Sequence, residues 1–596
     1  MLAARPVDSM CAPPAPRKRG AKSRRPALAA ALTALLAAGA LAGAGCGSGA
    51  SGTSIDPAKA VPASAPLYAS AVVRPTGALQ KSARAAGRAL THQADPYLRL
   101  LDALQTPGAP TLDFDRDVAP WLGPRAGVFL TATGGSEEQA VDRLLTLVER
   151  GLLGGSSRGG SFPFAARSVE GALVLDTRDA AKARSFLSKL AARAHAHASS
   201  YRGISYQVTA DGIAFGIVSR LAVLGTETGL HAVIDTTAGG PALAAAPAYA
   251  KLQASAPSGT LANVYANAGA FGGGAGAQPS SSAFSLLAGG GYVNISLAPS
   301  PSAIVLDADA LPAAGAAHSS GLFAASDQAA RALAELPGES WLAVGVGDVG
   351  ATLGADVSAL EGVASLGSSL TNTSSESQAA GISVKGLLGG FLAPLRALGS
   401  GSASTKRDFA SWMSSAGLFA SGTGLLDFKG GVVIDSTDAA RSREAVAKLG
   451  ALLQRGGGSV QSAKIPGSET AIGVRLSGLP VVLDVAAGKT ASGQAKFVIG
   501  LGEQSVQEAL NPKTTISGSA PYGTASAALG HGIQPNAIVD FPTLLGLLEG
   551  VGLTEDPSVA PFVPYLRSLT TLSAGGGSIG GGIARYRLVL GLQGGG

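Results

Sequence analysis

The chain has 596 residues, and its 84 glycines and 33 prolines are too many breakers for a coiled coil or a long helical bundle. A hydrophobic share of 46% is too high for wholesale disorder. The net charge of +6 sits in residues 1–45, where Arg5, Arg17, Lys18, Arg19, Lys22, Arg24 and Arg25 face Asp8 alone; the charges that follow cancel, which excludes nucleic acid as a partner.

Residues 1–45 read as an export signal. A basic stretch, Arg17 to Arg25, leads into the uncharged Ala- and Leu-rich run from Ala27 to Leu41, then small residues, then a polar segment. The apolar run is marginal for spanning a bilayer. The chain has two cysteines, Cys11 inside this leader and Cys46 at its end, so cleavage before Cys46 leaves no partner for a disulfide. Cys46 after small residues resembles the lipobox of bacterial lipoproteins, with Gly43 where the pattern has Leu and Leu41 two residues further back. That resemblance implies lipidation at Cys46, an extracytoplasmic location and a lipid anchor in the cell membrane. Residues 46–60 are expected to form a flexible tether.

The remainder reads as a duplication. Asp176, Asp179 and Leu190 match Asp435, Asp438 and Leu449 at a constant spacing, within runs of similar residues. Arg116-Asp117 and Trp121 match Arg407-Asp408 and Trp412; Pro62 with Leu67 matches Pro337 with Leu342; Val223 to Gly225 matches Val498 to Gly500; Ala262 with Val264 matches Ala537 with Val539. The expected domains are a first repeat over 60–315, a linker over 316–330 and a second repeat over 331–593.

In chain order, each repeat opens with a strand (Leu67 to Val73; Trp341 to Val346). Asp95 and Pro96 suit the cap and first position of a helix. Strands follow the Trp motif (Gly127 to Thr131; Gly417 to Ala420), and residues 136–165 add a helix with a capping box from Ser136 to Gln139. A third strand (Ala172 to Leu175; Val432 to Ile434) runs into the matching helix. There Ala183, Phe186, Leu187 and Leu190, or Ser442, Ala445, Val446 and Leu449, share one face. Alternation at Ile204, Tyr206 and Val208, then Ile213, Phe215 and Ile217, predicts antiparallel hairpins, as do Ile472 to Leu476 and Leu479 to Val485. The expected fold class is α+β: two tandem copies of an antiparallel-rich sheet covered by helices on one face.

Motifs with chemical meaning fail on context. Gly345, Gly347 and Gly350 follow a strand like a dinucleotide fingerprint, but the matching place in the first repeat, Ser70 to Pro75, has no glycine. Gly488-Lys489-Thr490 lacks the first glycine of a phosphate loop and suits a hairpin turn. Gly-x-Ser-x-Gly occurs around Ser157 and Ser578, neither on a strand-to-helix elbow. His195 and His197 have no third ligand nearby, and His92, His231, His318 and His531 are scattered, which suits solvated histidines better than zinc. Asp176 and Asp435, each between a strand and a helix, suit capping, with Asp179 and Asp438 on the helix dipole. Trp121 and Trp412 suit core anchors. No catalytic, cofactor-binding or metal-binding residue is assigned, and no cofactor is implied.

The leader, the run from Val61 to Tyr68, the strand ending near Arg74-Pro75 and the helix start from Asp176 to Ala183 together resemble the bacterial family called domain of unknown function 3352. The resemblance implies an envelope location and brings no catalytic residues. The expected role is non-catalytic: binding an unknown protein or an apolar ligand between the halves, on a surface built from 136–165, 353–405 and 541–570, where Leu544, Leu545, Leu547 and Leu548 stand out. The competing expectation is an envelope hydrolase whose site forms only in three dimensions.

Overall fold

A computed structural model describes residues 54–91, 114–131, 170–270, 291–313, 326–350, 403–424, 427–476, 481–550, 552–555 and 559–593. The export signal, Cys46, Asp95, Pro96, Ser157, residues 136–165 and residues 353–402 lie outside them.

The first half contributes β1 (Leu67–Val72), β2 (Leu122–Leu130), β3 (Gly171–Thr177), β4 (His197–Tyr201), β5 (Ile204–Val208), β6 (Ile213–Val218), β7 (Leu221–Thr226), β8 (Ala262–Asn267), β9 (Tyr292–Pro299) and β10 (Ala303–Leu311). They pair in the order β4-β5-β6-β7-β3-β2-β1-β8-β9-β10, antiparallel throughout. The second half contributes β11 (Ser340–Val346), β12 (Met413–Ser421), β13 (Lys429–Ser436), β14 (Ser459–Ser462), β15 (Ser468–Arg475), β16 (Leu483–Lys489), β17 (Ala495–Leu501), β18 (Gln534–Asp540), β19 (Leu569–Ser578) and β20 (Ala584–Leu592). Their order is β14-β15-β16-β17-β13-β12-β11-β18-β19-β20, again antiparallel.

Two tandem sheets are not what the chain builds. β10 pairs antiparallel with β20 from Ala303↔Gly591 to Ala310↔Ala584, and the twenty strands form one open sheet bounded by β4 and β14. The physical reason is the edge: each ten-strand half ends in a long strand whose free N–H and C=O groups would otherwise be left unpaired. β10 and β20 satisfy each other.

Helices also cover both faces and not one. On one face of the first half lie α1 (Gly77–Thr91) and α2 (Ala180–Arg193), whose Ala83, Ala86, Ala183 and Leu187 join a core with Trp121, Phe215 and Val264. On the other lie α3 (Glu227–Thr237) and α4 (Pro247–Ser255), which bury Leu230, Val233 and Leu252 against Phe129, Val174 and Tyr265. In the second half α5 (Asp327–Ala334) precedes α6 (Ala403–Ala410) and α7 (Ala439–Arg455). Val446 and Leu449 of α7 pack on Trp412, Val485 and Phe497. Leu333 of α5, Val506 of α8 (Glu503–Leu510) and Ala525 of α9 (Ala520–Leu529) cover the opposite face. Strands buried on both sides explain why β7 reads as a continuous apolar run and why β17 is apolar apart from the buried Lys496.

Two expected boundaries shift. The tether expected over 46–60 is folded from Ser54: Pro57–Lys59 is a short 3-10 helix capped by Asp56, and Ala58 and Ala60 are buried. The second half begins before residue 331, since α5 starts at Asp327 with Ser326 as its N-cap. No helix of the described residues is long and apolar enough to cross a membrane.

Candidate functional site

The join between the halves carries an ionic core built on two carboxylates without solvent access. Register sets Asp307 of β10 opposite Arg587 of β20, and Asp309 opposite Arg585. Both pairs are bidentate. Arg585 donates from Nε and Nη2 to the Asp309 carboxylate at 2.7 Å each, and Arg587 donates to Asp307 at 2.6 and 2.7 Å. Asp307 and Asp309 are inaccessible to solvent. Each guanidinium also closes a helix: Arg585 donates to the Ser255 carbonyl ending α4, and Arg587 to the Leu529 carbonyl ending α9. A cation at a helix C-terminus meets the negative end of its dipole. Ser255 completes the set by donating to Asp309 at 2.6 Å. Burial disfavours the Arg585 charge, but the Asp309 hydrogen bonds and both carboxylates outweigh it and hold its pKa above the usual value. Around this network Leu592, Leu588 and Leu590 pack into the first half's core, and so does Ile583 on the opposite face. Among the described residues, the halves meet at β10 and β20 through main-chain pairing and packed side chains.

Trp121 and Trp412 occupy matching places just before β2 and β12, each 2% exposed. Trp121 lies 5.4 Å from the Phe186 ring of α2, and Trp412 lies 5.3 Å from Phe497. The Trp121 carbonyl accepts from Arg178 N–H and the Trp412 carbonyl from Thr437 N–H. The aspartates need a correction. The N-caps of α2 and α7 are Asp179 and Asp438, each accepting from two first-turn N–H groups. Asp176 and Asp435 sit in the strands, three residues too early to reach those amides. Asp176 accepts from Ser54 Oγ at 3.0 Å and Ile55 N–H at 3.4 Å; Asp435 accepts from Ser415 Oγ at 2.5 Å and faces Lys496 Nζ at 3.6 Å.

A polar cluster that the sequence reading missed lies where α3 meets the β4–β5 hairpin. The Tyr206 hydroxyl donates to Glu227 at 2.5 Å, lies 2.8 Å from His231 Nε2, and accepts from Ser199 Oγ at 3.1 Å. Because the single phenolic proton goes to Glu227, His231 must donate from Nε2. Tyr201 stacks on the His231 ring at 3.9 Å and donates to Asp235, which pairs with Arg202. Burial first, then the Glu227 hydrogen bond, raises the Tyr206 pKa, so the phenol stays protonated near neutrality. The cluster acts as a clasp between α3 and the hairpin, and His231 is a half-buried member of it and not a solvated histidine. Glu227, His231 and Asp235 at four-residue spacing were the available signal. Among the described residues no group of three His, Cys, Asp or Glu side chains is gathered to hold a metal. His195 is exposed between α2 and β4, and His197 is exposed as the first residue of β4.

The family model described as "Protein of unknown function (DUF3352)" matches residues 27–578. The chain belongs to that family. No curated protein and no solved structure matches it.

In this DUF3352 chain the glycine pattern that begins in β11 is a packing device. A Cβ at Gly345 would meet the Ala329 carbonyl at 1.9 Å, and one at Gly350 the Ala410 carbonyl at 2.3 Å. Those glycines let helix backbones approach the strand. Gly488-Lys489 ends β16 in a hairpin to β17. The leucines expected to form a binding surface are partly core. In α10 (Phe541–Gly550), Leu547 is buried and Leu544 packs with it on Trp341, Leu342 and Phe428. A helix lying on an apolar strand pair turns its periodic leucines inward, so aspartate at Leu544 would damage the fold rather than probe a surface.

Asp484 of β16 gives a pH prediction. Burial, then the nearby Glu503 charge, raises its pKa to about 6. The folded state therefore holds a proton that the unfolded chain releases near pH 4. The resulting stability is present below about pH 4 and lost as pH rises to about 6. Asp484→Asn should stabilise the chain by about 1–3 kcal/mol at pH 7 and by little at pH 4. Urea unfolding at both pH values checks this; an equal effect at both would contradict it.

Proposed function

We propose that the chain is exported, acylated at Cys46 and held on the outer side of the cell membrane, where it serves as a non-catalytic binding platform. The observation that carries the reading is the Ser54–Asp176 hydrogen bond, which ties the entering chain into β3. Cys46 lies eight residues upstream of Ser54. At full extension those residues span about 28 Å, so a lipid on Cys46 would hold the first half close against the bilayer. The order of the leader supports export, and the small residues before Cys46 support acylation. A single sheet locked by buried ion pairs suits a rigid platform. Its two halves, with the same strand order, read as copies of one unit, joined by complementary charges that identical copies would not offer each other.

The wild-type chain should partition into the detergent phase of membrane extracts. Cys46→Ala should move it to the aqueous or secreted fraction, or leave it unprocessed. Normal processing with unchanged membrane retention of Cys46→Ala would overturn the anchor.

A further inference from the structure

α2 and α7 occupy the same place in their halves, after β3 and β13 and behind Asp179 and Asp438. Their charges differ. On α7 three of the four cations are neutralised, Arg455 in the last turn being the exception: Arg441 meets Asp438, Arg443 meets Glu469 at 2.5 Å, and Lys448 meets Asp408 at 2.6 Å. α2 carries Lys182, Arg184, Lys189 and Arg193 with no carboxylate between Ala180 and Arg193, and all four are exposed. Lys182 reaches Asp179 at 3.2 Å, while among the described residues Arg184, Lys189 and Arg193 meet no carboxylate. Lys182, Lys189 and Arg193 follow one flank of the helix and Arg184 the other. Between them the outward face holds only Ala181, Ser185, Ser188 and Ala192. Small residues flanked by cations let the helix lie flat on a charged surface.

The helix starts at the same end of β3 where the chain enters the fold, although Ile55, Ala58 and Ala60 pack on the opposite face of the sheet. Asp176, which holds Ser54, is three residues before the α2 cap. The reach from Cys46, about 28 Å, exceeds the helix length of about 21 Å. Resting on the lipid-anchor reading, we infer that α2 is a second membrane contact, seated on the headgroups of anionic phospholipids. Charge complementarity and an anchor whose tether is long enough to reach the α2 side select a bilayer over a soluble polyanion.

The test needs no acylation, so it can fail while the anchor stands. Every described contact lies within residues 54–593, so a chain starting at Gly47 keeps the whole described fold. It should co-sediment with phosphatidylcholine vesicles containing 30% phosphatidylglycerol, in roughly the amounts used to mimic anionic membranes, and not with phosphatidylcholine alone. Binding should be lost at about 0.5 M salt. Lys189→Glu with Arg193→Glu should weaken it about 25-fold or more, at about fivefold per lost cation. Arg455→Glu with Lys464→Glu, the same charge change elsewhere, should leave it within about twofold of the parent. Equal binding to both vesicle types, an equal loss in the control pair, or equal α2-dependent binding to a soluble polyanion would each overturn the inference.

Discussion

Replacing Arg585 by methionine should lower the stability of the full chain by about 3–5 kcal/mol. The change strips Asp309, a carboxylate with no solvent access, of both guanidinium hydrogen bonds and leaves Ser255 Oγ as its remaining donor. It also frees the Ser255 carbonyl at the end of α4. An uncompensated buried charge is what makes such a loss large, so removing the charge as well should reverse most of it. Asp309→Leu combined with Arg585→Met is expected within about 1–2 kcal/mol of the parent, because packed apolar residues often replace a buried ion pair with little cost. Urea unfolding of the two single variants and the double variant gives the coupling. A loss under about 1 kcal/mol for Arg585→Met would mean that the join is hydrated and the pair weak.

Trp412→Ala should cost about 3–5 kcal/mol, the range for emptying a large aromatic site in a packed core. The indole is 2% exposed between Phe409 at 5.9 Å and Phe497 at 5.3 Å. α7 closes the same core with Val446 and Leu449. Trp121→Ala should cost a comparable amount, since that indole also donates to the Asp117 carbonyl at 2.9 Å. The measurement is the first unfolding transition in urea. A shift equivalent to less than about 1 kcal/mol would place the indole outside the core.

Local pattern carried the individual elements and stopped at their long-range arrangement. The helices over 180–193 and 439–455 were legible because their apolar residues recur at helical spacing. The caps were misplaced by three residues, since Asp176 and Asp179 are equally good capping residues and only the strand's length decides between them. α3 and α4 escaped notice: α3 follows β7 without a break, α4 comes after it in Ala-rich sequence, and that concealed the second covered face. The join was hidden for a different reason. Asp307 and Asp309, alternating with apolar residues, look like the solvated side of an edge strand, and so do Arg585 and Arg587. Their partners lie 276 and 280 residues away. Opposite charges at the same two-residue spacing in two strands were the available signal. Of the polar cluster at α3, only its spacing was visible, because Tyr206 and Ser199 come from a hairpin.

Hydrogen exchange of the main-chain amides in β10 and β20 tests the continuous sheet most directly. One sheet predicts that amides across 303–311 and 584–592 exchange as slowly as those of the central strand β13, and that both segments open together. Two separate sheets would leave the outward amides of β10 or β20 exchanging fast, as on any free edge, while β13 stayed protected.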